Sequence, residues 1–287
     1  MVIDFRVRPP YKGFLQTGII KNYQNLPADR SKRSALSMYR IDVPSVAQSD
    51  VNLMIQEMDE AHVSQIVAMG RRTGNTPASF GNMDNQDVLD LANLFPGRIV
   101  PFAGINPYDD DCVEQTEKAL TGGFRGISID AGWCSPALQV DDPLLEPVLA
   151  KAQECGGIVS LTMSAVLGPD MSYCKPVTLQ HVARKFPNLK IVVAHAAWPY
   201  INEVLCAAMF CPNIYLIPDC YFYVPGVPGT RELVDAANNW LKHRLLFASS
   251  YPICGFKQSI ALWSEKGLSA EALQCSLYDN AAELLKK

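Results

Sequence analysis

Histidine is scarce in this chain, with four residues in 287. A catalytic zinc ion usually draws on three protein ligands, histidine foremost, so little material exists for such a centre. The nine cysteines form no C-x-x-C pair and no zinc-finger spacing. An odd number also argues against a closed disulfide framework, so reduced thiols and a cytoplasmic location are expected. No apolar run approaches the ~18 residues of a membrane-spanning helix. No basic segment leads into a long apolar one at the start, so no secretory leader is expected. G-x-G-x-x-G, P-loop and G-x-S-x-G patterns are all missing, which argues against a dinucleotide fold, a phosphate-cradling loop and a serine hydrolase. The net charge of −4 gives no case for nucleic acid or a membrane surface as partner.

What is present suits a globular protein: 48% hydrophobic and 19% charged residues, in a chain long enough for one barrel or two small domains. β-Rich runs recur at Val2–Val7, Gln65–Met69, Ile99–Gly104, Gly126–Ile129, Gly157–Met163, Lys190–Ala194, Asn213–Ile217 and Leu245–Ala248. Helical stretches alternate with them, the pattern of parallel strands joined by crossover helices. Eight such units over residues 1–287 predict an α/β chain folded as a single (β/α)8 TIM barrel; a doubly wound open sheet is the alternative. Ser49 is placed to cap a helix whose apolar stripe is Val51, Met54, Ile55, Met58 and Ala61. Asp141-Asp142-Pro143 opens another, with Leu144, Leu145, Val148 and Leu149 as its stripe. A third carries Leu179, Val182, Ala183 and Phe186, and Pro187-Asn188 ends it.

Residues 9–49 form an irregular insertion after the first strand, rich in Lys12, Lys21, Arg30, Lys32, Arg33 and Arg40 against Asp29 and Asp42. A solvated loop with a surplus of charge accounts for it; so does a basic lid over an anion site. Long loops in compact folds usually serve function, and this one would leave the barrel face where active sites sit.

In a barrel the functional residues follow the strands. Arg6 and Arg8, at i and i+2, share a face and would both enter the barrel mouth. The other strand ends bring Arg71, Asp130, Thr162, His195 with Trp198, Asp219 with Tyr221 and Tyr223, and Ser250 with Tyr251. Two readings compete for the arginines: an internal ion-pair network with Asp130 and Asp219, or binding of an anion. His62, His181 and His243 lie in or before helices and loops and read as non-catalytic. The cysteines, Cys134 and Cys220 among them, read as small buried hydrophobes.

Several stretches together resemble the amidohydrolase-2 branch of the amidohydrolase superfamily, which includes aminocarboxymuconate-semialdehyde-type decarboxylases and dicarboxylate lactonases. They are Ile3-Asp4-Phe5-Arg6-Val7-Arg8-Pro9, Gly123-Phe124-Arg125-Gly126-Ile127, the run from Phe186 to His195, the run from Arg244 to Pro252, and Asn280-Ala281-Ala282-Glu283-Leu284-Leu285. They span nearly the whole chain in the family's order. The resemblance implies the barrel, hydrolase or carboxy-lyase chemistry, and a homodimer. It also implies a metal held by H-x-H on strand 1, a histidine on strand 5 or 6 and an aspartate on strand 8. Here the H-x-H positions hold Arg6 and Arg8, the run 158–164 has no histidine, and Ser250 stands at the aspartate position. His195 remains.

Guanidinium has no lone pair to offer a metal, so no metal cofactor is expected unless zinc is held by ligands rebuilt around His195 with Asp130 and Asp219. The arginines can instead hold a carboxylate. The expectation is a metal-independent hydrolase or lyase for a small carboxylated substrate, with Arg6, Arg8 and Arg71 on the anion and Thr162, Trp198, Tyr221, Ser250 and Tyr251 lining the pocket. His195 is the preferred proton carrier, ahead of Asp219 and Asp130, because a carboxylate among arginines is a weakened base. The alternatives are a barrel that binds an anionic metabolite without catalysis and the metal enzyme with rebuilt ligands.

Overall fold

The apolar runs become strands because β-branched and aromatic residues crowd them and turn residues bound them. In the computed structural model, which describes residues 1–33, 43–74 and 81–286, they are β1 (Val2–Val7), β2 (Val63–Met69), β3 (Ile99–Gly104), β4 (Gly126–Ile129), β5 (Ile158–Ser164), β6 (Lys190–Trp198) and β7 (Ile214–Ile217). All pair in parallel in the order β1-β2-β3-β4-β5-β6-β7. Ile3, Phe5, Val67, Met69, Phe102, Ile158, Val192, Ile217, Leu246 and Ala248 fill the barrel interior, and Ala281 and Leu284 of the C-terminal helix pack onto the same cluster.

The eighth run, 245–248, closes the ring without forming a regular strand. The Leu216 N–H donates to Arg244 O, and Leu246 N–H donates to Leu216 O, both at 2.9 Å. On the other side Phe5 N–H donates to Phe247 O at 3.0 Å and Arg8 N–H to Tyr251 O at 3.1 Å. The Phe247 N–H turns instead to Ser276 O, 2.9 Å away, in the π-helical turn Cys275–Asp279. Asn280 Nδ2 takes the carbonyls of Lys242 and Leu245, each at 2.8 Å. Buried backbone groups must find partners, and here helix groups supply what a ladder would.

Three local expectations need correction. The helix Val51–Glu60 is capped by Asp50, whose carboxylate accepts from the Asn52 and Leu53 N–H groups; Ser49 has a left-handed φ of 54° and ends the preceding turn. Leu144 lies 38% exposed, off the buried stripe. The insertion is not irregular throughout: it carries helices Gly18–Gln24 and Pro44–Ala47 and buries Phe14, Ile20 and Tyr23. Its Lys12 pairs with Asp90 at 2.5 Å, on the helix Asn85–Leu94, while Arg40 and Asp42 lie outside the described residues. All nine cysteines are free thiols, buried except Cys155 and Cys206. No helix among the described residues is long and apolar enough to cross a membrane.

Candidate active site

β1 does not keep strict alternation. Asp4 pairs with Ile66 and Val7 with Ala68, so the register shifts between them. Such a bulge-type irregularity reverses which face later residues take. Ile3 and Phe5 face the interior, whereas Val7 joins the outer layer with Ile66 and Ala68. Arg6 and Arg8 therefore both turn inward, above Phe5, at the C-terminal mouth.

There Arg6 Nη1 lies 2.8 Å from His195 Nε2 and 3.1 Å from Asp219 Oδ2, and His195 Nδ1 lies 2.9 Å from Asp219 Oδ1. Guanidinium only donates, so Nε2 accepts and the ring proton sits on Nδ1, donated to Asp219. The ring is neutral: burial pulls its pKa down against the pull of Asp219. Burial would raise the Asp219 carboxyl, but His195 and Arg6 outweigh it and hold it below the usual value. Across the mouth, Arg71 Nε donates to Asp130 Oδ2 at 2.8 Å, and its guanidinium lies 4.2 Å from the Trp133 ring centroid. Burial likewise works against ionised Asp130, and Arg71 and then Arg8 overcome it.

Arg8 differs. It is 4% exposed, and the hydrogen bond of its guanidinium is a long one, 3.5 Å to Val7 O. Among the described residues it has no carboxylate partner. Burial, then the charges of Arg6 and Arg71, push its pKa well down. Buried polar atoms without a hydrogen-bond partner occur on the same strand ends: Asp130 Oδ1, Thr162 Oγ1, Ser250 Oγ and Arg6 Nε. Unsatisfied groups of this kind are rare in native folds and call for an explanation.

Tyr221 forms one wall, stacked on Trp198 with centroids 4.6 Å apart and edge-on to His195 at 5.3 Å. Its hydroxyl meets Ser164 Oγ at 3.0 Å. Tyr251 is not part of this wall. Ser250 has φ 54°, which turns the next side chain outward; the Tyr251 hydroxyl bonds Ser45 and Glu57 and its ring stacks on Phe256. Arg72, next to Arg71, pairs with Asp109 at 3.1 Å, away from the cluster. Left-handed φ values gather at the mouth, at His195 (66°), Ala196 (46°), Ala197 (54°) and Asp219 (44°). Each costs a non-glycine residue roughly 1–2 kcal/mol, strain that concentrates at functional sites.

Asp4 was not singled out from the sequence. It is fully buried, and its Oδ1 accepts from the N–H groups of Arg6 at 3.2 Å and Ser249 at 3.0 Å. Burial lifts its pKa to about 7. A lone acid inside the apolar run Val2–Phe5 was the available signal.

The amidohydrolase family model Amidohydro_2 matches residues 3–287. The chain belongs to the amidohydrolase-2 family. A solved TIM-barrel protein of uncharacterised function from Bordetella bronchiseptica is 30% identical, with a TM-score of 0.89 over 99% of this chain and 98% of that one. The 5-carboxyvanillate decarboxylase LigW from Sphingomonas paucimobilis is 15% identical, TM-score 0.65, covering 99% and 98%. A 2,6-dihydroxybenzoate decarboxylase from Rhizobium is 15% identical, TM-score 0.68, again covering 99% and 98%. The last two likenesses carry the fold. Comparison with curated proteins gave no match.

This amidohydrolase does not offer the ligand set that its family resemblance implies for a metal. The strand-1 positions are Arg6 and Arg8, and the strand-8 position is Ser250. Among the described residues one group of three ligand-type residues does converge, His195, Asp219 and Cys220, with ligand atoms within 4.8 Å of one another. Cys220, and not Asp130, completes it, and Arg6 Nη1 lies beside it on His195 Nε2 and Asp219 Oδ2.

Proposed function

We propose that this amidohydrolase is a hydrolase or carboxy-lyase for a small carboxylated substrate, working without a catalytic metal and holding the anion on arginine. The observation that carries this reading is Arg8, a guanidinium buried in the barrel mouth with no acidic partner among the described residues. An uncompensated buried charge is costly, and a substrate carboxylate relieves that cost through charge-assisted hydrogen bonds.

Arg6 supplies the second function of a Lewis acid, polarising an oxygen as charge develops. It cannot lower the pKa of a bound water as a metal does, so the proton falls to His195. In the resting arrangement both ring nitrogens are engaged. A substrate anion that draws Arg6 aside frees Nε2 to take or deliver a proton, while Nδ1–H stays on Asp219. Trp133, Trp198 and Tyr221 give the mouth flat walls suited to a planar substrate.

Turnover of a panel of carboxylated aromatic acids and lactones tests this, read as acid or carbon dioxide release before and after chelator treatment. Arg6→Ala is expected to abolish turnover, and chelation to leave it intact. A stoichiometric divalent ion in the purified protein, lost together with activity, would overturn the metal-independent reading. The engagement of both His195 nitrogens also favours a second reading, a binding barrel without catalysis. Carboxylate-induced thermal stabilisation with no turnover across the panel selects it.

A further inference from the structure

Asp4 lies fully buried on the strand that carries Arg6, and its carboxylate bonds backbone where a strand ladder would otherwise run. Along the seam between β1 and the closing segment 244–251, the Phe5 N–H reaches Phe247 O at 3.0 Å and the Arg8 N–H reaches Tyr251 O at 3.1 Å. Between these two bonds the Arg6 and Ser249 N–H groups turn instead to one atom, Asp4 Oδ1, at 3.2 and 3.0 Å. The Ser249 side chain adds a bond to the same carboxyl. Buried N–H groups need partners, and here a side chain takes the place of a carbonyl on both sides of the seam.

The bond from Arg6 has a local consequence. An aspartate that accepts from the N–H two residues on folds its own backbone into a tight turn. In a strand such a turn takes up the extra length of a bulge, and the register slip of β1 falls between Asp4 and Val7. Strict alternation from Ile3 and Phe5 would point Arg6 away from the interior. The slip brings it to His195 Nε2 at 2.8 Å and Asp219 Oδ2 at 3.1 Å. We propose that Asp4 is a positioning residue: its Oδ1, by holding the Arg6 and Ser249 N–H groups, fixes the bulge that seats the Arg6 guanidinium on His195 and Asp219. An acceptor oxygen at that place serves whether or not it is charged. Arg6 and His195 take their roles from the functional reading above, but their seating is measured without turnover.

Nitrogen NMR of the histidine rings tests this on the full chain at a single pH. Four histidines give few signals, and His195→Gln identifies the one that matters. The Nε2 signal of a neutral ring responds to the hydrogen bond it accepts, and Arg6→Ala gives its position with the guanidinium gone. Asp4→Ala is expected to move the His195 Nε2 signal at least halfway to the Arg6→Ala position. Asp4→Asn keeps Oδ1 and should hold the signal where it stands in the unaltered protein. A general loss of stability would leave the ring nitrogens of the folded molecules unmoved.

A folded Asp4→Ala whose His195 signal moves less than halfway overturns the proposal, as does an Asp4→Asn signal displaced as far as that of Asp4→Ala. If Asp4→Ala does not fold, amide exchange in the unaltered protein decides. Arg6 and Ser249 N–H groups protected as strongly as that of Phe5 support the bridge, and weaker protection at either one overturns it. Absence of turnover or of carboxylate binding bears on the functional reading and leaves this seating standing.

Discussion

Asp4 and the two acids above it respond to pH with opposite signs. The folded-state pKa of Asp4 is raised from 3.8 to about 7, so the folded chain keeps a proton there that the unfolded chain releases. Stability therefore falls as pH climbs from about 4 to about 7, by an amount on the order of 4 kcal/mol. Asp130 and Asp219 are held below 3.8; their stabilisation is present above that value and is lost as pH falls through their folded values. His195, kept neutral by burial, adds a loss below about 6.5, where the unfolded ring takes up a proton. Asp4→Asn retains an acceptor for the Arg6 and Ser249 N–H groups and cannot ionise. Urea unfolding should show its stability advantage over the unaltered chain larger at pH 8 than at pH 5, by roughly 2–3 kcal/mol. Equal destabilisation at both values would show that burial does not govern this carboxyl.

Among the elements, the closing segment 244–251 depends on groups far along the chain. Asn280 satisfies the Lys242 and Leu245 carbonyls, and Ser276 O receives the Phe247 N–H. Asn280→Ala strands two carbonyls and should cost about 2 kcal/mol, with faster amide exchange at Phe5 and Leu246 while β4 and β5 stay protected. The same dependence explains why the run Leu245–Ala248, read from the sequence as a strand like the other seven, forms no regular strand. Apolar content fixes position along the chain; whether N–H groups join a ladder is decided by a helix tens of residues later. The bulge in β1 is similar. Alternation from Ile3 and Phe5 alone would send Arg6 outward, and the shared inward face of Arg6 and Arg8 needs the slip between Asp4 and Val7.

At the level of the whole molecule, the barrel separates stability from function. Its lower end is tied by Arg125, which donates to the carbonyls of Leu284 at 3.1 Å, Leu285 at 3.0 Å and Lys286 at 2.7 Å. Arg125→Ala should lower unfolding free energy by about 2–3 kcal/mol and leave carboxylate affinity within about twofold, since the mouth is at the opposite end. Much of that mouth was legible because charged residues directly follow apolar runs: Arg6, Arg8, Arg71, Asp130, His195 and Asp219 are all brought together. Their partnering was not legible. Spacing cannot say that Arg8 has no carboxylate partner among the described residues, nor that the left-handed Ser250 swings Tyr251 out of the pocket, because both follow from contacts between distant strands.

Arg6, resting on His195 and Asp219, is a cation written into the gene. It arrives with translation, needs no metallochaperone and cannot be stripped, exchanged or loaded with the wrong ion. Its charge at the mouth is therefore the same in every copy of the protein, however scarce or abundant metals are around it.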